Sequence, residues 1–372
     1  VVKRYDEPFD FLRYLVTTIG QRPATSLAEA QAAAYVDGRL RRAGLKVAAE
    51  TFYAPPNKGL LAPLLAIGGA GIAMLMLWLP FAAFILTVVF LIVVLIDGFI
   101  HPLPAFTRFA TSQNIIGNRA CARHYPRWRV VLLAPLDSPL DARAATCADG
   151  GRSLVIGRTV AFLLLGVIAL LNMTMSAPLW MYLQAIPALY LLVGLIRRQP
   201  GQETTIGGSG ALAVVLTVAE RLASLEHVEV WVAALGATAT GHFGMRDFLA
   251  RYPFPPAETL FLSLETIATN NLLCATREGM LKQHAADALL LRLATTVNAE
   301  EPLVAIQPAS YPSHMSLAAP LHERRYRAMT LLSRGILPPS AKQDVLSRFD
   351  PHTLERTSRF LTAMIERLDE DK

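Results

Sequence analysis

Two stretches of this chain have no polar rhythm. Residues 59–96 and 159–196 contain no Asp, Glu, Lys, Arg or His, whereas much of the rest carries the spacing or composition of soluble helices and strands. A helix needs ~20 apolar residues to cross a hydrocarbon layer, so each stretch is long enough for two crossings. Each also carries a turn signal near its middle, Trp78-Leu79-Pro80 in the first and Ser176-Ala177-Pro178 in the second. Proline lacks the N–H that a continuing helix needs and disfavours helix in the residue before it. The pattern predicts helices over 60–78, 81–99, 159–176 and 179–196, that is, two transmembrane hairpins at 59–96 and 159–196. The helix of a soluble core normally keeps a polar face, and these show none.

Without the hairpins, segments 1–58, 97–158 and 197–372 remain as one discontinuous soluble domain. Phe9, Leu12, Leu15 and Ile19 repeat at helical spacing. Ser26 with Glu29 has the capping-box pattern and opens a helix that ends near Gly44. Strand-like runs rich in β-branched or aromatic residues follow at Lys46–Tyr53, Gln113–Asn118, Arg129–Ala134, His227–Leu235 and Thr259–Ile267. Helix-like stretches alternate with them at Ala211–Leu225, Met245–Arg251 and Ala285–Val297. A last amphipathic helix runs from about Pro351 to Leu368, with Thr353 and Glu355 resembling a cap. This alternation predicts an α/β, three-layer sandwich around a largely parallel sheet, with ligand sites at the carboxyl ends of the strands.

Composition agrees with the apolar pattern. The chain is 53% hydrophobic and 17% charged, against ~25% charged in an ordinary soluble domain. The net charge of +6 does not imply nucleic acid, because no basic run interleaves with aromatics. Instead Lys58, Arg108, Arg152, Arg158, Arg197 and Arg198 flank the apolar stretches, and the hairpin turns carry no Lys or Arg. By the positive-inside rule the soluble domain is expected in the cytoplasm of an inner or plasma membrane. The opening segment reads as polar and helix-like rather than as a secretory signal, and a first residue of Val1 rather than Met leaves a removed leader open. Cys121, Cys147 and Cys274 are too few and too widely spaced for a disulfide framework or a zinc knuckle and read as ordinary thiols.

Several familiar motifs fail. Gly207-Gly208-Ser209-Gly210 is neither G-x-G-x-x-G nor G-x-S-x-G, and its plain reading is a glycine-rich helix start. The eight histidines include no H-E-x-x-H. The order of segments, however, resembles the co-catalytic two-zinc aminopeptidase family, whose relatives include glutamate carboxypeptidases. Ile19-Gly20-Gln21-Arg22-Pro23-Ala24 is similar to its I-G-x-R-x-x-G/A opening, and Asn114-Ile115-Ile116-Gly117 to its N-V-I-G/A strand. Val130–Asp137 is similar to the strand ending A-H-x-D, Pro200–Leu216 to P-G-x-x-D-N-x-S-G-x-x-x-x-L, and Gly236–Gly241 to G-A-E-E-x-G. Leu262–Ala268 is similar to the N-L-D-x-x-G strand end and Pro312-Ser313-His314 to S-D-H. Asp350-Pro351 opens a last helix like the family's.

What the resemblance implies is a site with two bridged zinc ions that activate water beside a glutamate base. Matched residue by residue, most of it is gone. The first ligand histidine is Pro135, although Asp137, which would orient it, remains. The bridging aspartate falls on Ile206, and the base and ligand glutamates on Thr238 and Ala239. The ligand aspartate is Glu265, and the last histidine survives as His314. Glu265 and His314 would serve different ions, and zinc needs three or four ligands. The expected protein is therefore a degenerate member: a catalytically inactive, membrane-anchored peptidase-like protein with no metal or other cofactor. Its expected partners are the lipid bilayer and other membrane-protein subunits of a complex, with no nucleic acid. The alternatives are an active metallo-aminopeptidase with a rearranged site drawing on His242, and a small transporter or channel component. Asn172 and Gln184 are the most polar groups of the apolar stretches and suit interhelical hydrogen bonds. The small-residue strip Ala66, Gly68, Gly69, Ala70, Gly71 and Ala73 would let another helix approach closely.

Overall fold

A computed structural model describes residues 7–56, 61–97, 108–138, 152–175, 179–196, 206–279, 282–300, 305–313, 316–333 and 345–370. The chain divides into two compact units. One comprises residues 1–57, 108–150 and 201–372, and the other residues 58–107 with 151–200.

The first unit is α/β. Its strands are β1 (Lys46–Ala54), β2 (Ala110–Arg119), β3 (Trp128–Pro135), β4 (Val228–Leu235), β5 (Thr259–Leu264), β6 (Leu272–Glu278), β7 (His284–Ala285), β8 (Gln307–Tyr311) and β9 (Arg327–Ser333). They form one sheet in the order β1-β2-β4-β3-β5-β9-β6-β7, with β8 paired to β6. The sheet is mixed, which corrects the expected largely parallel one. Strands β4, β3, β5 and β9 run parallel to their neighbours in that central block. β2 runs against both β1 and β4, and β6 runs against β9 and β7. Alternation of strand and helix shows crossover connections but is silent on β1 and β2, which lie on either side of the first apolar stretch. It is equally silent on β6, β8 and β9, whose short runs lack a clear period.

The run Val130-Val131-Leu132-Leu133-Ala134 is apolar throughout because the middle of the sheet is covered on both faces. Val130, Leu132 and Ala134 join one core and Val131 and Leu133 the other. On the first face pack α1 (Pro8–Arg13, continued by a π turn over Tyr14–Ile19) and α2 (Leu27–Arg42). The helices Ile206–Arg221, Ala288–Glu300 and Pro351–Glu370 cover the same face. The other face holds Phe243–Arg251 and the short Ala319–Glu323. The helix expected from Ala285 starts only at Ala288, since His284–Ala285 pair with β6. Its last counterpart is capped by Asp350, whose carboxylate accepts from His352 N–H and the Thr353 hydroxyl. Thr353 lies inside the helix and is not its cap.

The second unit holds α3 (Leu61–Leu75), α4 (Pro80–Leu95), α5 (Arg152–Thr174), α6 (Leu179–Leu183) and α7 (Ala185–Ile196). The first predicted turn is present, because α3 ends before Trp78-Leu79 and Pro80 opens α4. Among the described residues only Val155–Thr174 is long and apolar enough to cross a membrane. Pro63–Leu75, Pro80–Leu95 and Ala185–Leu195 are apolar but shorter. This corrects the expectation of four membrane-length helices. The predicted helix over 179–196 is broken at Gln184, because Pro187 has no N–H to offer the carbonyl of Leu183.

Close packing inside this unit uses the small residues. A Cβ on Gly68 would strike the Phe90 ring, and one on Gly69 would strike Leu191, whereas one on Gly71 would meet nothing. Phe90 stacks on Phe162 with centroids 5.7 Å apart. The small-residue strip is thus partly spent on the unit's own packing. Asn172 donates across helices to the Met76 carbonyl at 3.2 Å, as its polarity suggests.

Candidate functional site

The sheet brings the matched positions to the carboxyl ends of three adjacent parallel strands. Pro135 is the last residue of β3, with Asp137 two residues beyond. Thr238 and Ala239 lie in the loop that follows β4, and Glu265 directly follows β5. Ile206 is the first residue of its helix. That helix start approaches closely: a Cβ on Gly208 would stand 2.7 Å from the Pro135 carbonyl oxygen and 3.3 Å from that of Asp137. His314 lies outside the described residues.

Asp137 is fully buried, and its carboxylate is satisfied by the neighbouring loop. Oδ1 accepts from the Thr238 N–H at 2.9 Å and the Thr238 hydroxyl at 2.6 Å, and Oδ2 accepts from the Ala239 N–H at 3.0 Å. Burial pushes its carboxyl above the usual carboxylate range, while the Thr238 and Ala239 donors pull the other way. The group that would orient a ligand histidine instead binds the segment where the glutamates would stand.

Two residues behind Asp137 complete a buried network. Arg22 has no solvent exposure. Its Nε donates to the Leu136 carbonyl at 2.9 Å, Nη2 to the Ser209 hydroxyl at 2.8 Å, and Nη1 to the Gly20 and Leu15 carbonyls. Burial lowers its pKa to about 10, and the charges of Asp137 and Glu29 oppose that fall. Glu29 accepts from Thr25 N–H at 2.7 Å, from Ala237 N–H at 3.0 Å and from the Ser112 hydroxyl. Burial, with the nearby Asp137 charge, raises its carboxyl to about 7. The expected capping box is therefore half formed. Ser26 accepts from Glu29 N–H at 3.1 Å, but the Glu29 side chain turns to the strand ends.

Glu265 accepts from Leu317 N–H at 2.6 Å, and burial raises its carboxyl to about 7, with Glu278 adding to the rise. Glu278, which sequence reasoning missed, is buried at the end of β6. Its Oε2 accepts from the Ser316 hydroxyl at 2.6 Å, and its Oε1 lies 3.7 Å from His322 Nε2. His322 in turn stacks on His284, centroids 5.2 Å apart. No spacing in the sequence points to this group. Arg22 did carry a signal, as the arginine of the quoted Ile19–Ala24 opening.

These residues do not fit a two-zinc centre. Pro135 and Ala239 have no side-chain donor, and the Thr238 hydroxyl is given to Asp137. Among the described residues no three His, Cys, Asp or Glu side chains are placed to hold a metal ion.

No protein-family model and no curated protein matches the sequence. Solved structures do match. A zinc aminopeptidase from Bacillus subtilis superposes with a TM-score of 0.59 at 12% identity, covering 97% of this chain and 94% of that one. The aminopeptidase of Aneurinibacillus sp. strain AM-1 gives 0.58 at 11% identity, covering 98% and 94%. Porphyromonas gingivalis glutaminyl cyclase gives 0.51 at 10% identity, covering 98% and 99%. The chain thus has the fold shared by zinc aminopeptidases and glutaminyl cyclases.

Proposed function

We propose that the chain is a catalytically inactive, membrane-anchored peptidase-like protein that serves as a binding or scaffold subunit of a membrane complex. The observation that carries this reading is the Asp137 carboxylate, closed onto Thr238 and Ala239 where the resemblance gives the base and a ligand. Three of the roughly four acceptor sites of this carboxylate are taken by the Thr238–Ala239 loop, and Pro135, which stands where the imidazole would be, offers it nothing to orient. The surrounding residues favour stability over chemistry, with Arg22 and Glu29 locking the same strand ends. The alternative of an active metallo-aminopeptidase with a rearranged site would call on His242, which is 3% exposed and sits at a left-handed turn. The transporter alternative lacks intramembrane ionisable groups, the usual mark of an ion or substrate route.

The charge-free stretches 59–96 and 159–196 support anchoring in a membrane, and the basic residues that flank them support a cytoplasmic soluble unit. Anchored proteins without chemistry act through what they hold. Purification in mild detergent from native membranes tests this. A partner is expected to stay bound in fixed ratio through gel filtration, giving a particle heavier than one chain with its detergent belt. A particle containing a single chain and nothing else contradicts the scaffold reading.

A further inference from the structure

The topology of the α/β unit concentrates its chain exits at one end. β1 runs in the same direction as β4, because both oppose β2, and β3 is parallel to β4. The first apolar stretch therefore departs from the carboxyl end of β1, after Ala54, and the chain returns at the start of β2, at Ala110, the register partner of Ala54. The second departs after the carboxyl end of β3 and returns at the helix start where Gly208 approaches Pro135. The described residues that border all four connections, Ala54, Ala110, Asp137 and Gly208, lie at the same end of the sheet. The first turn of α2 belongs to that end too, as the Glu29 bonds to Ala237 and Ser112 require.

This end also carries large apolar side chains that the unit leaves uncovered. Leu27, in the first turn of α2, is 77% exposed, Tyr53 at the end of β1 73%, and Phe109 just before β2 50%. Phe109 stands edge-on to the half-buried Phe243, centroids 5.7 Å apart. The exposed Arg108 adjoins Phe109. An aliphatic, two aromatics and an adjacent cation is the composition of a lipid–water boundary, where rings sit at headgroup level and basic side chains reach toward phosphates.

We infer that this end of the sheet, with Leu27, Tyr53 and Phe109 at its surface, rests on the lipid interface. The inference depends on the membrane reading proposed above. It would make the lipid headgroup layer the covering partner of the strand ends that serve as ligand sites in open α/β sheets.

Nitroxide labels on the full chain, in vesicles of phosphatidylcholine and phosphatidylglycerol, test it. The three native cysteines are replaced by alanine, and single cysteines are placed at Tyr53, Phe109, Ile67 and Tyr125. Tyr125 is 80% exposed and precedes the amino end of β3, so it reports the opposite end of the sheet. Labels at Tyr53 and Phe109 are expected to collide with a water-soluble nickel chelate several-fold less than the label at Tyr125, and more with oxygen. If both collide with the chelate as freely as Tyr125 while Ile67 is protected, the inference is overturned and the membrane reading stands. Shielding of Tyr53 and Phe109 from both reagents also overturns it, because protein then covers the patch. A label at Ile67 that is open to the chelate refutes the membrane reading itself, and the inference with it.

Discussion

Arg22→Met is expected to destabilise the α/β unit by about 3–5 kcal/mol, the cost typical of removing one member of a buried charged network. Three features make this large. Arg22 is fully buried, its guanidinium bonds the Leu136, Gly20 and Leu15 carbonyls and the Ser209 hydroxyl, and its charge faces both Asp137 and Glu29. Methionine has a similar length and fills the space, so the loss is of hydrogen bonds and charge rather than volume. Leu136 and Ser209 belong to the strand end and the helix start that frame the candidate site, so both should loosen together. Thermal unfolding in detergent should fall by on the order of 10 °C. Arg22→Lys should recover only part of this, because an ammonium cannot reproduce the planar fork. An Arg22→Met protein that unfolds at the parental temperature would show that the network is not a fold determinant.

Gly210→Ala should be the second severe change. A Cβ there would clash with the Ile267 carbonyl oxygen and lie 3.2 Å from the Phe349 ring. The oxygen is backbone in the loop after β5 and cannot rotate away as a side chain would. Overpacking of this kind costs about 1–3 kcal/mol where neighbours can give, and the upper part of that range is expected here. Gly71→Ala in the second unit, where an added Cβ meets nothing, is the matched control and should leave stability unchanged. Equal unfolding temperatures for Gly210→Ala and the parent would contradict the close approach of this helix to the strand end.

The difference between these glycines shows what could be read from sequence. A glycine-rich helix start was visible at Gly207–Gly210, but not which of its members meets a neighbouring backbone, since Ile267 is distant in the chain. The β3 strand was legible because a run of apolar residues ending at Pro135 suits a central strand buried on both faces. The β6, β8 and β9 strands were not. Their residues are tied to partners far away in sequence, and Glu278 and His322 meet only through that pairing. Ser26 was legible as a cap because capping is local. The use of Glu29 for Ser112 and Ala237 is long-range, and no local rule reveals it. In the apolar unit, the absence of charge was plain, whereas the break at Gln184 depended on weighing Pro187 against an otherwise favourable helical run.

At the candidate site, Asp137 and Glu265 were legible through the resemblance, and the structure adds the bonds that occupy them. Asp137 is held by Thr238 and Ala239, and Glu265 by Leu317. On the function proposed above, this fold has kept its scaffold and given up its metal chemistry. The most direct measurement is the zinc content and aminopeptidase activity of the full chain, purified in detergent, incubated with zinc chloride and freed of unbound metal. No stoichiometric zinc and no peptide hydrolysis are expected. One or more zinc ions per chain, lost in the His314→Ala variant, would contradict that function.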